Sequence, residues 1–484
     1  MSSTSSTSTS STSSSRPLET VAVAGASLGG LLAAAALAPH ARRVVVVDRD
    51  PLPEEPAARS GTPQVLHAHG LLASGRLSMK ALLPGFTEEM VRLGALSEGD
   101  MGSNGRWWVG GGLLADCAIG VTGVAASRPL IEATVRRMVR RLPNVAVEPR
   151  VDVLGLVAAG KRVSGLRVGD DAGHERTIEA DLVVDATGRS GRAGRWWERL
   201  GLTPPVEERV SVGVRYATTH VAHHEGDLSG RSVAVSAATP EVPRGGVAIR
   251  QEDGTWVVML FGYCEEQPAL DPDGFRAYAR TIVSPDVAAL LEGRPLLEPP
   301  RPYRFPDCRR RRFEKVEVPL GYAALGDAIC SFDPTFGQGM SVAALEAVAL
   351  GEAAAHGPER VRAAYHREAA EIVDRAWTIV VGADLLIEGT EGTPPPGHRV
   401  ISRYVRRAQR VAHRDPTVSR AVMRVTNLLA APPSLMAPSV AWRVLQPGAA
   451  PRTSQADAPR RQAAAAVARL ERVGGDGGDR RVRR

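Results

Sequence analysis

Glycine, serine and aspartate recur in two turns that lie about 300 residues apart. The first is Gly25-Ala26-Ser27-Leu28-Gly29-Gly30, between the apolar runs 20–24 and 31–38. A further apolar run, 44–47, ends at Asp48, 18 residues past Gly30. Strand, glycine turn, helix and a second strand ending in an acid form a pattern that holds a dinucleotide. The first glycine allows the tight turn, and a small residue lets a pyrophosphate approach the backbone. The last glycine lets helix pack on strand, and the acid reaches a ribose hydroxyl. Ser27 stands where a second glycine is usual, and serine is small enough to keep that approach open. The second turn is Gly326-Asp327, followed by Asp333-Pro334-Thr335-Phe336-Gly337-Gln338-Gly339-Met340. It follows the strand-like run 318–325 and opens an apolar run of helical length, 341–355. Backbone N–H groups and the positive end of a helix dipole converge there. Asp327 can accept hydrogen bonds from sugar-like hydroxyls, and the glycines admit a flat ligand close to the backbone.

The elements around these turns alternate between helix and strand up to about residue 205. Residues 206–305 change character: 210–221, 232–238, 246–251 and 255–263 alternate as strands, with a hairpin signal at Glu252-Asp253-Gly254. This reads as an antiparallel sheet inserted into a Rossmann-type α/β domain. Segments 18–205 and 306–355 are expected to form that domain, and 356–447 a helical C-terminal region. Residues 1–17 carry a Ser/Thr-only tract, expected to be disordered, and 448–484 read as a flexible basic tail.

Bulk properties exclude several functions. The net charge of +7 sits mostly in residues 448–484, which hold nine arginines against four acids. The body is therefore close to neutral, and nucleic-acid binding is not expected. The run Arg309–Arg312 lacks aromatic interleaving and reads as a solvated face or strand edge. Cys117, Cys264, Cys308 and Cys330 form no C-x-x-C pair, which suits a reducing, cytoplasmic setting and gives no metal framework. No metal site and no membrane-spanning segment are expected. The apolar run 21–38 is long, but its glycines mark a buried βα unit. His67 and His69, separated only by Ala68, share a face in a strand and diverge in a helix. Trp107-Trp108 and Trp196-Trp197 read as packing ahead of substrate stacking. Residues 422–445 are apolar and proline-broken, and either cap an elongated apolar pocket or pack as a face.

The motifs at Gly25–Gly30, Asp48, Arg128, Asp185-Ala186-Thr187-Gly188 and Gly326–Gly339 occur in an order that resembles the class A flavin-dependent monooxygenases of the para-hydroxybenzoate hydroxylase fold. The likeness covers roughly residues 18–355. Gln64-Val65-Leu66-His67-Ala68-His69 and the segment 180–189 look closest to polyether and polyketide flavin epoxidases. The resemblance implies FAD, with Gly25, Ser27 and Gly30 at its pyrophosphate and Asp48 at the adenosine ribose. It places Arg49 at the adenosine part, Arg128 at the pyrophosphate or ribityl chain, and Thr187 and Gly188 near the adenine end. Asp327 would meet ribityl hydroxyls, and Pro334, Gly337, Gly339 and Met340 would frame the isoalloxazine edge. His67 and His69 become candidates for the flavin or substrate edge, with a structural or flavin-edge role favoured over acid–base work. The inserted sheet would roof the substrate pocket.

The implied chemistry is insertion of one atom of O₂, through a flavin C4a-hydroperoxide, into a small apolar, polyketide-like substrate by epoxidation or hydroxylation. Such chemistry requires no protein nucleophile, so no catalytic side chain is assigned. Aromatic hydroxylases of this class carry Asp-Gly where this chain has Thr187-Gly188. That departure leaves two electron routes open, NAD(P)H directly or a separate flavin reductase. Three other readings share the FAD frame. A flavin halogenase would add a W-x-W-x-I-P segment and an active-site lysine. An isoprenoid or polyketide double-bond reductase would consume no O₂. A flavin-bound regulatory protein would show no turnover.

Overall fold

The computed structural model describes residues 18–97 and 99–447. The expectations for the Ser/Thr tail and for residues 448–484 therefore lie outside the described residues.

A five-stranded parallel sheet carries both turns. Leu18–Ala24 sits at its centre, between Ala41–Asp48 and Leu182–Asp185. Val145–Pro149 and Tyr322–Ala324 form the edges. In register, Ala24 stands opposite Val47 on one side and Asp185 on the other, and Asp185 stands opposite Ala324. The carboxyl ends of four strands thus finish level, and the turns that follow them crowd onto one edge. That edge is where open α/β sheets bind ligands. Helix Leu28–Leu37 buries nine of its ten residues, covered by the sheet and by helices Arg128–Arg140 and Gly339–Ala354. Burial on every side explains its uniformly apolar sequence.

The second sheet has eight strands, antiparallel except where Gly105–Val109 pairs parallel with Val233–Ser236. Glu207–Ala222, Arg244–Arg250 and Thr255–Gly262 lie within the expected insert, whereas Gly105–Val109 and Gly112–Leu113 come from earlier in the chain. Those two strands are short and glycine-flanked, so their sequence carries little alternation. The sheet's two faces do different work. Ala234, Ala248, Val258 and Leu260 pack against helices Pro272–Ala279 and Pro285–Leu291 through Phe275 and Leu290. The alternate positions Val233, Val235, Val247, Ile249, Met259 and Phe261 face a cavity. Helices His398–Ala412 and Pro416–Thr426 and the turn Pro432–Met436 close it from the far side, and with helix Pro438–Leu445 they share a core of their own against residues 114–119.

Two expectations are corrected. The run 145–157 is not one strand. It breaks at Arg150, whose φ is +59°, so Val145–Pro149 joins the parallel sheet and Val151–Ala159 joins a separate three-stranded sheet. Nor is Arg309–Arg312 a solvated face or an edge. The strand Arg301–Arg311 is hydrogen-bonded on both sides, and Arg310 and Arg311 are buried. Arg310 pairs with Asp374 at 2.5 Å, Arg311 with Glu207 at 2.9 Å and Arg312 with Glu208 at 2.5 Å. The acids that neutralise the run lie far away in sequence, so a local reading of charge could not find them.

Beneath the second turn, the fully buried Glu346 accepts the Gly326 N–H at 2.6 Å. Burial pushes its carboxyl up to about 8; the Gly326 bond opposes this, and Asp327 adds to it. A carboxyl raised in this way keeps its proton in the folded state after the unfolded chain has lost its own. Its favourable contribution is complete below the ordinary carboxylate range and is lost as pH rises toward about 8. Glu346→Gln is therefore expected to gain stability over the parent by roughly 2–3 kcal/mol between mildly acidic and mildly alkaline pH. Thermal melts at both pH values check this, and an advantage that does not change with pH would remove Glu346 as its source.

Candidate functional site

At the first turn, Gly25 has φ +106°, and a Cβ there would sit 2.5 Å from the Ala186 carbonyl oxygen. Only glycine keeps this turn against the neighbouring strand. Asp48 closes the turn. Its Oδ2 accepts the Ala26 N–H at 2.7 Å and its Oδ1 the Asp50 N–H at 2.9 Å. Both oxygens thus serve the backbone, and their remaining lone pairs are the ones open to a hydroxyl. Arg49, next in the chain, is exposed.

The centre of this region is a residue the sequence reading did not single out, Glu132. It accepts from the Ser27 hydroxyl at 3.0 Å and pairs with Arg59 at 2.6 Å, Arg128 at 3.3 Å and Arg136 at 3.3 Å. Burial opposes its charge, but Arg128, Arg59, the Ser27 hydroxyl and Arg136 outweigh burial and hold it below the usual carboxylate range. Arg59 also pairs with Asp50 at 3.0 Å and with Asp48 at 3.6 Å, so carboxylates balance the three guanidiniums, and Arg128 is the member with donor capacity left for a phosphate. The signal for it was present: Arg128, Glu132 and Arg136 follow at i, i+4 and i+8 on one helix. Arg59, which completes the cluster, could be found only in three dimensions.

The second turn meets the first at the same sheet edge. Asp327 is exposed to water yet surrounded by protein, as a group on the floor of a deep cleft is. That enclosure raises its carboxyl, while Arg189, Arg128 and Arg311 pull the other way. Arg311 fixes the turn by donating to the Asp327 and Ala328 carbonyls at 3.3 and 3.1 Å. A Cβ on Gly339 would lie 3.9 Å from Asp327 Oδ1, so this glycine opens the helix beside the aspartate. Gly337 has φ +65° and lies against Gly70 of the His67–Gly70 loop. Pro334 begins the short turn before it, and Met340 begins the helix after it. Thr187 serves its own strand end: its N–H and hydroxyl both donate to Asp185, at 3.0 and 2.7 Å. Gly188 follows with φ +78° and open space where a Cβ would stand.

The two histidines separate in role. His67 Nδ1 meets the Thr218 hydroxyl at 2.8 Å, and its ring stacks edge-on against Tyr216 and Tyr303. His69 Nδ1 lies 2.8 Å from the His67 carbonyl, so that nitrogen carries the proton and Nε2 is left as an acceptor. Burial, then the positive charge of Arg301 for His67 and of Arg128 for His69, lowers both rings to about 4. Both are neutral at physiological pH.

His69, Gly70 and the turn Pro334–Gly337 also line the cavity, whose volume is about 1050 Å³. Trp107 joins the sheet residues on one wall, while Val422, Met423 and Leu435 form part of the opposite one. Residues 422–436 therefore contribute to the pocket as well as to packing, and Trp196-Trp197 is buried in the core. A polar cluster missed from sequence lies beside the 334–337 turn. Tyr263 Oη donates to Asp333 at 2.7 Å and lies 3.2 Å from Asp384 Oδ1. Burial, then the Asp333 charge, raises the Asp384 carboxyl well above its ordinary range, and burial raises Asp333 too. Asp333 and Asp384 come from segments that only the fold joins.

The site fits an extended dinucleotide. Two glycine turns and a helix N-terminus converge, and the buried Nη1 of Arg128 has no hydrogen-bond partner among the described residues. Among the described residues, no group of three or more His, Cys, Asp or Glu is placed to hold a metal ion, and no helix is long and apolar enough to cross a membrane.

No protein-family model matches the chain. Protein Rv3254 of Mycobacterium tuberculosis is 35% identical over 345 residues, covering 68% of this chain and 72% of that protein. Among solved structures, a flavoprotein/dehydrogenase from Cytophaga hutchinsonii superposes with a TM-score of 0.61 at 17% identity, over 85% of this chain and 92% of that one. The p-nitrophenol 4-monooxygenase of Pseudomonas putida gives 0.58 at 18% identity, over 84% and 99% of the two chains. CmlS, a flavin-dependent halogenase, gives 0.60 at 18% identity, over 85% and 77%. The fold is that of the class A flavin-dependent enzymes.

Asp327→Ala is expected to lower FAD affinity by about 1.5–3 kcal/mol, the worth of a charge-assisted hydrogen bond, as read by titration of the apoprotein. Unchanged affinity would take Asp327 out of the site. Glu132→Ala leaves buried guanidiniums uncompensated and should cost about 3–5 kcal/mol of stability. Denaturant melts giving a loss below about 1 kcal/mol would show that the cluster does not depend on it.

Proposed function

The chain belongs to the same family as the mycobacterial Protein Rv3254 and has the fold of the flavin-dependent monooxygenases and halogenases, and from that premise we propose that it is an FAD-dependent monooxygenase acting on a large apolar substrate. One observation carries the reading. The turn Pro334–Gly337 is shared by a cleft shaped for a dinucleotide and by a cavity of about 1050 Å³ with largely apolar walls. A flat ring held at that turn would face the cavity.

In this reading Gly25, Ser27, Gly30 and Arg128 hold the pyrophosphate, Asp48 and Arg49 serve the adenosine, and Thr187 and Gly188 lie toward the adenine end. Asp327 takes the ribityl hydroxyls. Pro334, Gly337, Gly339 and Met340 frame the ring, and the helix N-terminus stabilises negative charge on it. Bound FAD supplies the activation of O₂. The balance is substrate, O₂, two electrons and two protons giving oxygenated product and water. The electrons come from NAD(P)H, directly or through a flavin reductase. The chain's own contribution is position and dryness. Val247, Ile249, Met259 and Phe261 orient an apolar substrate and exclude water. Neutral His69 offers Nε2 as an acceptor at the junction of cleft and cavity. Tyr263 holds its proton toward Asp333 on the cavity wall.

Residues 18–205 and 306–355 serve the cofactor, 206–305 supply most of the roof, and 356–447 close the pocket of a cytoplasmic enzyme. The epoxidase-like segment around His67 and His69 favours a polyketide-like alkene of secondary metabolism as substrate. Halogenation is less well supported. The cavity has no lysine in its wall, and Lys80, Lys161 and Lys315 are all exposed.

The test is a single turnover. Chemically reduced holoenzyme, mixed with ¹⁸O₂ and a polyene or aromatic polyketide, should yield product with one labelled atom. Label from water would overturn the reading. A saturated product formed without O₂ would replace it with a reductase, and a halogenated product on adding bromide or chloride with a halogenase.

A further inference from the structure

The C-terminal helices carry an unusual combination at the cavity mouth. Val400, Ile401 and Met436 line the cavity yet are 76%, 51% and 63% exposed. Trp442 and Leu445, on the adjoining helix Pro438–Leu445, are 66% and 61% exposed. These five are among the most exposed large apolar side chains of the described residues, and all lie within one helical layer. That helix is fixed to helix His398–Ala412 by Arg407, which donates to the Val444 and Gln446 carbonyls.

The same layer is strongly basic. Residues 392–447 contain nine arginines and a single acid, Asp415, which is paired with Arg443 at 2.8 Å. Arg399, Arg403, Arg414 and Arg420 are exposed and make no salt bridge among the described residues. Arg399 and Arg403, four residues apart, share one face of helix His398–Ala412, and Val400 and Ile401 follow Arg399 in the chain. Residues 1–391 hold 42 basic and 48 acidic residues, so this positive charge is local.

Exposed apolar side chains interleaved with unpaired arginines fit one environment well, the interface of an anionic bilayer. There the apolar groups enter the acyl boundary and the guanidiniums meet lipid phosphates. A protein partner of equal fit would need an acidic surface with an apolar centre. A bilayer offers both continuously, and it also dissolves the class of molecule that the cavity accommodates. We propose that the layer formed by helices His398–Ala412 and Pro438–Leu445 docks the protein peripherally on anionic lipid, with the cavity mouth turned to the membrane so that apolar ligands pass between bilayer and pocket. The inference rests on the exposure, the charge and the cavity, and does not depend on which reaction is catalysed.

The test uses full-length, FAD-loaded protein and vesicles of phosphatidylcholine, with or without phosphatidylglycerol, in co-sedimentation at low salt and at about 0.5 M salt. Binding is expected to the anionic vesicles only and to weaken at high salt. Two variants separate the contributions, Arg399→Gln with Arg403→Gln, and Ile401→Ser with Trp442→Ser. Each should lower the partition coefficient about tenfold or more, with flavin content and melting temperature unchanged. Failure to sediment with anionic vesicles overturns the proposal. So does binding that neither variant weakens, which would assign it to another part of the chain. Concentration-dependent self-association abolished by Ile401→Ser with Trp442→Ser would also overturn it, because a second copy would then cover this face. A protein that binds these vesicles but fails the isotope test keeps the membrane inference and loses only the monooxygenase reading.

Discussion

Glu132 is a carboxylate held inside the protein by three guanidiniums and a hydroxyl. The Coulomb attraction of those partners must outweigh the cost of removing its charge from water, because a buried charge without partners is among the least tolerable features of a fold. Satisfying it ties together Ser27 of the first turn, Arg59 of the following connector, and Arg128 and Arg136 of helix Arg128–Arg140. The Arg128 side of the cleft follows from that knot. With Glu132 in place, the helix stands at a fixed distance from the glycine turn, and Arg128 keeps a guanidinium nitrogen free of protein partners.

A second arginine cluster does for the other turn what Glu132 does for the first. Arg311 leaves the large sheet, pairs with Glu207 and donates to the backbone on either side of the Asp327–Ala328 peptide. The sheet that walls the cavity and the turn that presents Asp327 are thereby joined by one side chain. Cofactor cleft and cavity are coupled through buried ion pairs as well as through the shared turn at Pro334–Gly337.

The chemistry at the junction is one of neutral groups. Burial strips the charge from His67 and His69, and burial with the neighbouring Asp333 raises the Asp384 carboxyl well above its ordinary range. Uncharged rings at this junction suit an apolar ligand, whereas an ionised group there would draw in water. The outer C-terminal layer carries positive charge that no salt bridge among the described residues neutralises, at Arg399, Arg403, Arg414 and Arg420.

The sequence by itself determined the frame. The glycine turns, the strand ends at Asp48 and Asp327 and the helix after Gly339 are local features, written in residues a few positions apart. Glycine's freedom at positive φ and the apolar periodicities act over that range. The tertiary structure alone decided how distant groups are neutralised and what the pocket is. Glu132 with Arg59, the run Arg309–Arg312 with Glu207, Glu208 and Asp374, and Tyr263 with Asp333 and Asp384 are pairings across tens to hundreds of residues. Electrostatic satisfaction depends on spatial neighbours, and no spacing rule encodes them. The break at Arg150 and the recruitment of Gly105–Val109 into the large sheet were likewise settled by which strand edges met. The cavity exists only because one face of that sheet, left uncovered by helices Pro272–Ala279 and Pro285–Leu291, is closed by C-terminal helices from the other end of the chain.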